Sequence, residues 1–171
     1  MNLTNIRALV QRKSGHPVLD LDDAAVDPLR NLLVHPDIND YVRHCLPQET
    51  YLASQNQLAV QCLEGIIDEM HPESSPGGCI TQFGYLVVAT SAGGNGVCFH
   101  SATGRVFWAD HDTFAPSGIY CQDGPTGKLI FLEQYSAEDV QRPMVPLSDS
   151  IEQFLVALLS DQLTAQLASL D

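Results

Sequence analysis

Cations are scarce in this chain. Its 171 residues include eight lysines and arginines against 21 aspartates and glutamates, a formal net charge of -13. Lys13 and Lys128 are the only lysines. A nucleic-acid binder needs cations to displace phosphate counterions, so nucleic acid is excluded as an expected partner. Anionic membrane surfaces are excluded on the same ground. The acids are spread evenly: residues 1–75 hold eleven and residues 76–171 hold ten, so no acidic tail explains the balance. Such a field keeps a protein soluble, and it also steers a basic protein partner inward.

The cysteines, at 45, 62, 79, 98 and 121, are odd in number, widely spaced and free of any CxxC pair. That is neither a disulfide framework nor a zinc signature. No apolar signal core accompanies Arg7, Arg12 and Lys13, and the apolar run from Phe154 to Leu159 is too short to span a bilayer. Reduced thiols without an export signal give a cytoplasmic expectation. The length fits one domain, and a hydrophobic fraction of 44% is ordinary for a globular protein.

What is present divides by period. In the first third, Asp27-Pro28 starts a short helix with Val26, Leu29, Leu32 and Leu33 on one face, ending at Pro36. A second follows with Ile38, Tyr41, Val42, Cys45 and Leu46, ended by Pro47. Residues 14–23 read as a loop, and Ala59, Cys62, Leu63, Ile66 and Met70 predict a helix over 57–70. Residues 71–78 break the chain. The pattern then becomes β: strands at 84–92, 97–102 and 105–111, joined by tight turns at Asn95-Gly96 and Thr103-Gly104. One face of this meander carries Leu86, Val88, Val97, Phe99, Val106 and Trp108. The other carries Tyr85, Val87, Cys98, His100, Phe107 and His111. The first face is expected against the helices. Residues 113–127 read as a loop and 128–134 as a fourth strand. A last helix starts near Asp149, where Asp149-x-x-Glu152 resembles a capping box, and carries an apolar stripe from Ile151 to Leu170.

Little of this points to catalysis. Gly93-Gly94-Asn95-Gly96 follows a strand but precedes another strand, so no helix amino terminus is there to hold a phosphate. Asp110-His111-Asp112 lies close to Cys98 and His100, yet the expected register sets the two histidines about 13 Å apart along the strand. Asp110 and His111 alternate faces, so no metal set converges. Cys98 and His111 share a face as a diagonal pair, about 7 Å apart at Cβ, which keeps a thiol hydrolase open as an alternative. Against it stands the ordinary inertness of a buried mid-strand cysteine with no visible oxyanion hole.

The run from Gly93 to His100, then Thr103-Gly104-Arg105-Val106, then Trp108 to Asp112, resembles the SUKH superfamily, which groups fungal cell-wall-synthesis regulators of the Smi/Knr type with bacterial toxin-immunity proteins. Ser148 to Leu155 is similar to that family's closing helix start, and Leu46-Pro47 through Tyr51-Leu52 echoes its opening helix in part. The resemblance implies a single α+β domain with a central antiparallel or mixed sheet flanked by helices, no cofactor, and a protein-binding role. It implies an immunity protein that neutralises a basic toxin, a nuclease for instance, or alternatively a regulator that contacts cellular enzymes. The protein is expected to act as a monomer or weak dimer. Asp20, Asp22, Asp23, Asp110 and Asp112 are the candidate contacts for a cationic partner, the alternative being that they are solvated loop charges.

Overall fold

The computed structural model describes residues 1–53, 55, 57–114, 119–122, 125, 129–131 and 135–170. Helix α1 (Leu3–Ser14) begins where the Asn2 side chain accepts the Asn5 N–H and ends at Gly15, whose φ of 72° is the left-handed conformation that terminates helices. Helix α2 (Asp23–Val26) runs into a 3-10 turn over Asp27–Leu32, so the first expected short helix starts earlier than Pro28 and tightens after it. Helix α3 (Pro36–His44) has proline at its first position and buries Ile38, Tyr41 and Val42. The expected loop at 14–23 is tied down by a bridge between Val18 and Pro47.

The helix predicted over 57–70 is half wrong. Strand β1 (Tyr51–Ala53) pairs with β2 (Leu58–Val60), and helix α4 spans only Leu63–Glu69. Leu58 and Val60 are both buried while Ala59 between them is partly exposed, a period of two set by pairing with the neighbouring strand. Tertiary pairing has overridden the helical spacing of Ala59. Tyr51-Leu52 is accordingly strand, where the family resemblance places a helix.

Helix α5 (Gly77–Ile80) and a 3-10 turn over Thr81–Phe83 lead into β3 (Tyr85–Ser91), β4 (Gly96–His100) and β5 (Val106–Ala109). Gly77 is fixed by a close approach: a Cβ there would lie 1.9 Å from the Glu69 carbonyl oxygen. Helix α6 (His111–Phe114), β6 (Tyr120–Gln122), β7 (Leu129–Phe131), α7 (Ala137–Gln141), β8 (Val145–Ser148), α8 (Ile151–Leu159) and α9 (Thr164–Ala168) complete the order. The main sheet is antiparallel throughout, in the order β1-β2-β3-β4-β5-β8. The protein is therefore of the α+β class, and the meander is extended on both sides by strands that the sequence did not announce.

The turns differ from expectation. Neither Asn95 nor Gly96 has a positive φ; the β3–β4 loop is 92–94, with Gly94 at φ 88°, Gly94 N–H bonded to the Ser91 carbonyl at 3.1 Å and Ser91 N–H to the Asn95 carbonyl at 2.8 Å. This is the three-residue hairpin loop that ends in a left-handed glycine. The β4–β5 loop is 101–104, closed by Gly104 at φ 68°. Cys98 consequently faces Phe107, and the His100 N–H bonds to the Arg105 carbonyl in place of the expected position opposite Phe107. A slip of two residues leaves the side chains of the strands on their expected faces, while His111, expected at the strand end, lies in α6 instead.

Those faces build two cores. Leu86, Val88, Val97, Phe99, Val106 and Trp108 pack with residues of α1, α3, α8 and α9. Tyr85, Val87, Cys98 and Phe107 pack with Cys79, Ile80, Phe114, Val140 and Met144. Helices thus cover both faces, not the first alone, which is why every residue of β5 is buried. Phe99 is fully buried between Tyr41 and Phe154, edge-on to each, with ring centroids 5.6 and 6.4 Å away.

Two further expectations are corrected. The fourth strand at 128–134 exists as β7 but pairs only with β6, in a separate two-stranded sheet; Lys128 and 132–134 lie outside the described residues. The expected loop at 113–127 contains the end of α6 and all of β6. At α8 the cap is Ser150, whose extended backbone lets its hydroxyl accept the Gln153 N–H, while Asp149 turns to Arg105 at 2.8 Å. The apolar stripe is interrupted after Leu159, with Asp161 at φ 59°, and resumes in α9 with Leu167 buried.

Candidate functional site

The segment carrying Asp20, Asp22 and Asp23 lies along α1 and α3. Its backbone is tied at Leu19 N–H to the Leu46 carbonyl (3.1 Å) and at Leu21 N–H to the Arg43 carbonyl (2.8 Å). Arg7 reaches from α1 and grips Asp20 with both Nη atoms, at 2.7 and 3.2 Å, and Nη1 also donates to the His44 carbonyl. The His44 ring Nδ1 is 3.0 Å from the same carboxylate. The hydrogen bond to His44 and then that to Arg7 hold the Asp20 carboxyl below its ordinary value. Asp20 is therefore a joint between chain segments. Asp22 has a local duty too: its side chain accepts the Ala25 N–H and caps α2.

Asp23 is different. Its side chain is 95% exposed, 2.8 Å from Nη2 of Arg43, which is itself only 23% exposed. Arg43 Nε donates to Asn39 Oδ1 at 2.8 Å, one helical turn back. Asp27 and Arg30, three apart, face each other at 3.5 Å. Asp23, Val26, Asp27, Arg30, Leu33, Asn39 and Arg43 line a cleft of about 390 Å³ between the 23–33 segment and α3. Of the acids singled out in the sequence, only Asp23 lines this cleft. Asp27, Arg30, Asn39 and Arg43 were not singled out as site residues. The i,i+3 and i,i+4 spacings of Asp27/Arg30 and Asn39/Arg43 were legible, but the meeting of the two pairs was not.

Asp110 and Asp112 sit elsewhere. Strand β5 stops at Ala109, so the Asp-His-Asp step is a turn into α6 and not the strand end expected. Asp110 Oδ1 accepts the Asp112 N–H at 2.9 Å, and its carbonyl accepts from Thr113. Both the backbone N–H and Nδ1 of His111 are bonded to Asn95 Oδ1, at 3.1 and 2.9 Å, and Nε2 is 3.2 Å from Asp112. This turn leads to Phe114 of the second core, whereas the Asp20–Asp27 segment is anchored on helices of the first. The five candidate acids therefore lie on opposite sides of the sheet and form no single surface.

The thiol–imidazole pair is not formed as the strand register predicted. Cys98 is fully buried with its sulfur 3.8 Å from the Gly96 carbonyl, while the His111 ring is engaged with Asn95 and Asp112. Burial drives the Cys98 thiol far above its ordinary value, and nearby Cys79 and Glu69 add to the rise. Cys45 and Cys79 are each pushed up to about 12 by burial. Cys62 runs the other way. Its partial burial alone would raise it, but the N–H groups of Gly65 and Glu64 and the Thr50 hydroxyl outweigh that and lower it. His100 lies against the Tyr85 ring, centroids 4.8 Å apart, with Nδ1 2.8 Å from the Thr103 hydroxyl. Among the described residues no group of three or more histidines, cysteines or acids is placed to hold a metal ion, and no helix is long and apolar enough to cross a membrane. Compared with protein-family models, with curated proteins and with solved structures, the chain matches none.

Proposed function

We propose that the protein is a cytoplasmic, non-catalytic protein-binding domain of the SUKH type, acting as an immunity protein against a basic toxin. The observation that carries this reading is the cleft beside α3, where Asp23 and Asp27 project as exposed carboxylates, 95% and 65% accessible, from a segment held by backbone and ion-pair ties. The formal net charge of -13 supports the reading as well, since such a field steers a cationic partner toward the chain. The burial of Cys98 supports leaving its thiol out of the mechanism. Partner and chain would associate by electrostatic steering followed by short-range pairing at the cleft rim.

The product of the adjacent gene, inactivated by substitution, is the partner to test by titration calorimetry at low and moderate salt. Binding should weaken with salt and fall further when Asp23 and Asp27 are both replaced by lysine. Salt-independent binding, or a double variant that binds as well as the parent, would sink the reading. A neighbouring gene that encodes no toxin would favour the regulatory alternative.

A further inference from the structure

The cleft contains more guanidinium donors than its acids and Asn39 take up. A guanidinium carries five N–H groups in a fixed fork. Arg43 gives Nε to Asn39 and sets Nη2 against Asp23, and its remaining N–H groups have no acceptor among the described residues. Among the described residues Arg30 makes only the 3.5 Å approach to Asp27, and it stands 75% exposed at the opening. Two of the eight cations of a strongly acidic chain thus converge on one cleft, with two carboxylates beside them. A purely basic ligand would leave those guanidinium donors unused. A phosphate dianion would be set against both Asp23 and Asp27.

We infer that this cleft seats a neighbouring pair of opposite charges, a basic group against Asp23 and Asp27 and a carboxylate against Arg30 and Arg43, over the apolar floor of Val26 and Leu33. The inference rests on the protein-binding reading above and refines it: the partner's contact segment carries an acidic side chain next to its basic one. A volume of about 390 Å³ accommodates two such side chains. Arg43 supplies the directional part, because Asn39 fixes its guanidinium plane and a fork of free N–H groups matches a carboxylate.

The test uses the full chain and nuclear magnetic resonance of backbone amides and arginine Nε–H groups. The probes are blocked tetrapeptides of sequence Gly-Arg-Glu-Gly, Gly-Arg-Gln-Gly and Gly-Gln-Glu-Gly, and L-alanine. The Arg-Glu peptide should shift the Arg30, Asn39 and Arg43 signals and bind with a Kd on the order of millimolar, about fivefold tighter than either singly charged peptide, as expected of one exposed ion pair. Arg43→Gln should erase that advantage, so that the variant binds the Arg-Glu peptide no tighter than the Arg-Gln peptide; Arg30→Gln provides the same test should the first variant misfold. Shifts from the peptide but not from L-alanine uphold a peptide segment as the occupant; equal shifts from L-alanine overturn it. Arg-Glu binding no tighter than Arg-Gln overturns the inference and leaves the basic-partner reading standing. Binding of the Gln-Glu peptide alone overturns both.

Discussion

Phe99→Ala should be among the most costly single truncations in this protein, and its magnitude can be worked from the packing. The ring is wholly buried in the first core, and a buried phenylalanine removes roughly 150 Å² of apolar surface from water, worth about 4 kcal/mol at ~25 cal/mol per Å². Edge contacts with Tyr41 and Phe154 add about 0.5–1.5 kcal/mol each, while partial collapse of the cavity returns some of the loss. The expected net cost is about 3–5 kcal/mol, a large part of the ~5–15 kcal/mol that holds a typical domain folded. Urea denaturation followed by circular dichroism reads this directly. With a slope near ~2 kcal/mol/M the midpoint should fall by about 2 M at an unchanged slope. Val34→Ala is the control: the side chain is 65% exposed and the change should stay within about 0.5 kcal/mol. A Phe99→Ala loss below about 1 kcal/mol would refute the two-core arrangement, since Phe99 could then not lie between α3 and α8.

Further outcomes follow from the titrating groups. A thiol-specific probe under native conditions should label Cys62 well before Cys45, Cys79 or Cys98, because its thiol is lowered and partly accessible while the others are buried and raised. Peptide mapping after brief labelling checks this, and faster labelling of Cys98 would revive the hydrolase alternative. Burial and then the Arg105 charge lower the His100 imidazole below its ordinary 6.5. The unfolded chain then takes up a proton first as pH falls, so this histidine's contribution to stability is fully present above about 6.5 and is lost progressively down to its depressed folded value. Replacing His100 by glutamine should flatten the acid side of the stability profile in that window, measured as the urea midpoint against pH; an unchanged slope contradicts the assignment.

How much of this was legible in advance depended on whether the determining contact was local. The amino-acid order alone fixed the two faces of the meander. Alternation in Tyr85 to Val88, Val97 to His100 and Val106 to Trp108 has a period of two, and that period survived even the two-residue slip in register that longer turns imposed. It also marked α3 through the Ile38, Tyr41, Val42 spacing, and it brought out the acidic balance. Tertiary structure decided the rest. Leu58 and Val60 became strand because β3 lay beside them to accept their backbone bonds, and the helical spacing of Ala59 with Cys62 and Ile66 could not compete with that pairing. Ser150 displaced Asp149 as a cap because Arg105, remote in sequence, drew the aspartate away. The cleft itself, in which Asp23 meets Arg43 beside Asp27 and Arg30, depends on two segments folding back on each other, and no spacing along a chain encodes a contact between side chains that only packing brings together.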